Sequence, residues 1–349
     1  MLAPQRWLLF LGALAVAALI PWVSRGPGSA PSVSSSPARA EPQGAAPTNA
    51  ASKMAASKMA SSKSAASALP EVSTLYEEAT SAYHARLFAD EGAVVLVTQT
   101  GFTTLRAGEA PARHAISLGP VVARQGDALV FWRSGKLRAI SLTAENEREL
   151  AVVPAPPQYL LASGGQLAWI QTTREGGTSI QTLSGSGVRV VFKSEESVSA
   201  AISSASFIYW VSERRDGSWH IGRVGLDGQH TSTAVQRGRP PAMLALGPDG
   251  LYFYAGPERG VRRLTFDLKL ETAVLAKVIC SPLAVSSRVV CAQVGGLFEI
   301  PPASSAPRFL AVERAGPVTT VGATAERAFW VAERGDGQLV VRSVVLPEP

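Results

Sequence analysis

Cysteine is almost missing. Cys280 and Cys291 are the only two in 349 residues, and they form no CxxC pair. That excludes a disulfide-built scaffold and a thiolate zinc site. Histidine is also scarce: His84, His114, His220 and His230 are scattered, with no HExxH and no i, i+4 pair. No GxSxG, Walker A, GxGxxG or Asp-rich calcium loop occurs, so no metal or cofactor is expected. Charged residues make up only 17% of the chain, and the formal net charge of +6 is unevenly placed. Residues 1–70 hold six of the 33 basic side chains and one of the 27 acidic ones, leaving 27 basic against 26 acidic in residues 71–349. The rest of the chain is therefore close to neutral and lacks the basic footprint of a nucleic-acid-binding domain. Amphipathic helices alternating with strands are missing too, which argues against a parallel α/β sheet.

What the amino terminus does have is an uncharged apolar run from Trp7 to Val23, flanked by Arg6 and Arg25. As a helix it would be about 25 Å long, enough to span a bilayer core. Residues 1–23 read as an uncleaved signal anchor, with a cleaved signal peptide as the alternative. Either reading tethers or exports the remainder to an extracytoplasmic location, periplasm or cell surface. Ser24 to Pro70 is Ala, Ser, Pro and Gly with a repeated ASKMA and almost no large apolar side chains. Such a stretch cannot offset the entropy of ordering, so it reads as a disordered linker reaching about 40 Å as a coil.

Residues 71–349 carry a repeat. The stretch FIYWVSERRDGSWHIGRVGLDGQ, Phe207 to Gln229, has looser equivalents from Gly92, Asp127, Gly165, Asp249, Ser287 and Glu326. Val97, Trp132, Trp169, Trp210, Phe253, Cys291 and Trp330 fall in register at spacings of 35 to 43 residues. That period suits a four-stranded propeller blade. Within each unit, short β-rich runs are bounded by Gly, Ser and Asp turns, and Asp-Gly recurs at 216, 227, 249 and 336. The expected fold is an all-β, seven-bladed β-propeller, with six blades as the alternative. The last unit ends without an outer strand, and EVSTLYE upstream could supply it. The competing reading makes LYEEATSAYHARLF a short helix.

At Ile208-Tyr209-Trp210-Val211, followed by Leu226-Asp227-Gly228, the chain resembles a YWTD- or TolB-type propeller repeat of exported bacterial proteins. No copy carries the Thr-Asp that completes YWTD, and that family usually has six blades. The resemblance implies a fold and a habit of binding proteins or small ligands, and it carries over no catalytic residue.

Two sets of residues stand out as candidate sites. The loop after each aromatic strand places Arg174, Arg214, Arg215, Arg259 and Arg334 on one rim, beside Glu175, Glu213, Glu258 or Glu333. They read as a docking surface, or as charges that solvate tight turns. Cys280 and Cys291 fall near adjacent strands and read as a disulfide, or as two buried thiols. The expectation for function is a membrane-tethered propeller, monomeric, that binds an envelope protein or a small ligand. The alternative is a propeller enzyme, a lyase or hydrolase, with its site in the central funnel.

Overall fold

A computed structural model describes residues 70–80, 85–185, 187–293, 295–301 and 306–347. The signal anchor and nearly all of the linker expected from sequence lie outside the described residues. Among the described residues no helix is long and apolar enough to cross a membrane.

Twenty-eight strands form seven antiparallel four-stranded sheets. We number the blades 1 to 7 and letter their strands A to D outward from the axis. Blades 1 to 6 span residues 86–114, 122–152, 159–194, 197–232, 244–275 and 283–312. Each is a meander of consecutive strands. Blade 7 takes strands A to C from residues 318–345 and its outer strand from Val72–Ala79, which pairs antiparallel with Gln338–Val345. Seven sheets exclude the six-bladed alternative. EVSTLYE supplies the missing strand, and the helical reading of this region fails because Val72–Ala79 and Arg86–Ala89 are both extended. Closing the ring with the opposite end of the chain covers an edge that would otherwise expose unpaired backbone groups.

The turns follow from local chemistry. In blade 4 the Asp216 carboxylate accepts from the Ser218 amide (2.9 Å), and Gly217 sits at φ +76°. Asp336-Gly337 in blade 7 repeats this, with Gly337 at φ +78°. Asp249-Gly250 looks like the same signal, but its glycine has another role. A tight turn does fall there, at Pro248-Asp249 between the paired Gly247 and Gly250, but Gly250 opens the next strand without positive φ, and it is small because a Cβ there would meet the Leu264 carbonyl at 2.4 Å.

Each blade is apolar on both faces, and every core cluster joins two neighbouring blades. At the strand B position facing the preceding blade, blades 1 to 7 carry Leu96, Phe131, Trp169, Trp210, Phe253, Cys291 and Trp330, none more than 2% exposed. Two sequence equivalents were one residue out. Val97 and Trp132 belong to the opposite faces of their sheets, against the following blade. A one-residue shift in a strand reverses the face, so Leu96 and Phe131 are the structural counterparts.

Candidate functional site

The five rim arginines do share one face of the ring, because all lie in B–C turns. Their geometry divides them. The turns of blades 3, 4 and 7 close identically: the amides of Thr173, Arg214 and Arg334 donate to the carbonyls of Gly177, Ser218 and Gln338 at 2.7–2.8 Å. Arg214 and Arg334 thus hold the first turn position, while Arg174 and Arg215 hold the second. None of the five pairs with the neighbouring glutamate that the sequence suggested. Alternation along the strand sends Glu213 and Arg214 in different directions. Arg214 Nε instead meets Glu196 at 2.7 Å. Arg259 bonds Glu271 and Gln236, both at 2.6 Å. Arg334 Nε pairs with Asp336 at 3.0 Å, within its own turn. Arg174 and Arg215 are exposed and form no ion pair among the described residues.

Beneath this rim Glu196 gathers Ser212, Arg214 and His220. Burial opposes ionisation of its carboxyl, but hydrogen bonds from Ser212 and Arg214 outweigh that and hold it below the usual range. His220 Nδ1 lies 3.5 Å from Glu196 without a hydrogen bond. Ser212 donates straight to the carboxylate, and His220 does not stand between them. The order is wrong for a base-activated nucleophile, and Ser212 is 1% exposed, out of substrate reach.

Two clefts open at seams between blades, toward the A–B and C–D turns. One of about 550 Å³ lies where blade 7 meets blade 1. Its floor holds Val94, Leu105 and Phe329, and its rim carries Glu91, Arg106 and Arg327. The other, of about 430 Å³, lies between blades 5 and 6. There Asp249 accepts from Tyr252 Oη (2.6 Å) and from Arg263. Burial, reinforced by Asp249, pushes the Tyr252 phenol up to about 12. Both clefts fall at seams whose following blade lacks an aromatic wedge, Leu96 in one and Cys291 in the other. At the second seam a disulfide takes the wedge position. Cys280, just before blade 6, is bonded to Cys291, with their Cα atoms 5.0 Å apart and both residues at most 2% exposed. Sequence reasoning missed the clefts. The signal was present in the two repeat copies where the aromatic is replaced.

The central channel is lined by A strands. A cavity of about 460 Å³ near the A–B turns is lined by apolar side chains together with the charged pair Asp90 and Arg124, and one of about 160 Å³ lies toward the other mouth. The described residues include no group of three His, Cys, Asp or Glu placed to hold a metal.

These features define a seven-bladed β-propeller, and solved structures agree. The chain is similar to the AfRom2 CNH domain (TM-score 0.53, 8% identity), covering 80% of this chain and all of that one. It is also similar to the Pan2 WD40 domain of Neurospora crassa (TM-score 0.57, 11% identity), covering 80% of this chain and 96% of that one. At such identities the likeness shows the fold alone, and it does not reach the YWTD- or TolB-type subclass. No family model and no curated protein matches the sequence.

Proposed function

We propose that the protein is a binding or scaffold propeller that takes a small ligand or a protein segment, tethered outside the cytoplasm at the cell envelope. The observation that carries the binding role is the cleft between blades 7 and 1. It has the volume of a small-molecule site, an apolar floor and a few polar groups on its rim. The cleft also touches Leu75 of the closing strand, so an occupant would brace the point at which the ring is joined. The extracytoplasmic placement draws on the apolar run Trp7 to Val23 and on the Cys280–Cys291 bond, since disulfides persist in oxidising compartments.

The test is a thermal-shift panel of small molecules and peptides, run on the wild-type chain and on Ala107→Trp. Ala107 lines the cleft and is exposed, so the indole fills the site without entering the core. The expected result is a ligand that raises the Tm of the wild type and not of the variant. A ligand that stabilises both equally would place binding elsewhere. Alkali fractionation of membranes, with protease access to a carboxy-terminal tag, tests the tether and its side.

A further inference from the structure

The two mouths of the central channel differ in charge. At the mouth toward the A–B turns, Arg124 is neutralised: it meets Asp90 at 2.5 Å and the Ala93 carbonyl at 2.8 Å. At the other mouth Arg86 opens blade 1 strand A. Its Nε donates to the Pro120 carbonyl at 3.1 Å, and it forms no ion pair among the described residues. It lines the 160 Å³ cavity together with Tyr159, Ala201 and Met243, contributed by three other blades. Arg86 is exposed overall, yet neighbouring channel-lining groups crowd its side chain. That crowding lowers its proton affinity below the ordinary arginine value, with Tyr159 opposing. The Tyr159 phenol is raised by burial and drawn back by the Arg86 charge. An uncompensated cation between low-dielectric walls focuses its field along the pore and draws in anions. Beyond it the wider part of the channel offers Phe88, Ile202 and Leu246.

We propose that this end of the channel is a carboxylate subsite for a small aliphatic acid. The guanidinium takes the head through its fork of donors, the Tyr159 hydroxyl adds a donor, and the aliphatic stem runs along the axis toward Phe88 and Leu246. A single guanidinium matches a monoanion better than a phosphate dianion, and the narrow cavity admits a head group rather than a folded protein surface. The site is separate from the seam cleft, so neither stands or falls with the other.

The probe is labelled octanoate in equilibrium dialysis against the full chain, with octanamide and inorganic phosphate as competitors. Octanoate should bind. Octanamide should compete roughly ten- to hundred-fold more weakly, the range for losing a charge-assisted hydrogen bond in a partly dry site. Phosphate should compete less well than unlabelled octanoate. Arg86→Gln should erase the preference for the acid over the amide, while Arg86→Lys should keep part of it, because a point charge lacks the fork. Val152→Ala, on the exposed outer strand of blade 2, should change nothing. Equal competition by octanamide, an Arg86→Gln protein that keeps the preference, or no octanoate binding by the wild type would each overturn the assignment. The amide comparison on the wild type holds even if a variant folds poorly.

Discussion

Replacing Trp210 by alanine probes the seam between blades 3 and 4. The side chain is 1% exposed and joins Ala168, Ile170, Ile180 and Val224 in one cluster. Its ring lies 4.7 Å from that of Phe192 and 5.8 Å from that of His230, centroid to centroid. Below it Gly222 is small by necessity, since a Cβ there would come within 2.4 Å of the indole. Removing roughly 200 Å² of buried aromatic surface costs about 5 kcal/mol at 25 cal/mol per Å². Gly222 has no side chain with which to fill the hole, so the loss should sit within the ~3–5 kcal/mol seen for buried aromatics. For a domain of roughly 280 residues the unfolding entropy is about 0.6 kcal/mol per kelvin, giving a Tm drop of about 5–8 °C. Calorimetry on the wild type, Trp210→Ala and the exposed control Val152→Ala measures this. Val152 is 61% exposed, and its variant should shift by less than ~0.5 kcal/mol. A Trp210→Ala protein that melts with the control would refute the wedge argument.

Further expectations concern the ring closure, the disulfide and the acid limb of stability. A chain starting at Tyr83 lacks Val72–Ala79, uncovers the strand Gln338–Val345 and loses the Glu78–Arg113 ion pair (2.5 Å). It should melt lower and aggregate sooner than one starting at Ser67, and equal melting would contradict closure by this strand. The Cys280→Ser, Cys291→Ser double variant releases a link between residues 11 apart, worth about 3 kcal/mol in the chain-entropy account. Two alkylatable thiols in denatured, unreduced protein would deny the bond outright. Burial lowers the affinity of His220 for a proton more than Glu196 raises it. Folding therefore favours the neutral ring: its contribution is whole above the ordinary value of 6.5 and is lost as pH falls below it toward the depressed folded value. His220→Gln should flatten the fall in Tm between about pH 6.5 and pH 5, and an unchanged slope would remove His220 as its cause.

How far the site could be read from the chain depends on the residue. Arg174 and Arg215 stay exposed where the repeat put them, because a turn position fixes its own neighbourhood. The partner of Arg259, and the second partner of Arg334 beyond Asp336 in its own turn, could not be read, since they lie on other strands: Glu271 on the outer strand of blade 5 and Glu77 on the closing strand of blade 7. Alternating strands hide them, because adjacent residues face apart while distant ones meet. At Asp249-Gly250 the expected tight turn is present, but the glycine's role in it was not legible. One glycine can answer either a backbone angle or a close approach, and the dipeptide does not say which.

The sequence alone settled that the chain is a repeat of about 40 residues, that each unit is short alternating strands, and that a blade apolar on both faces needs a neighbour on each side. Period and hydrophobic alternation are local properties, so they survive without coordinates. Tertiary structure decided the rest. It showed that Leu96 and Phe131, rather than Val97 and Trp132, face the preceding blade, that both clefts lie where the wedge is not aromatic, and that Arg86 stands unpaired in the channel while Arg124 does not. Each of these depends on which residues meet across a seam or around an axis, and such meetings join positions tens to hundreds of residues apart that no local pattern encodes.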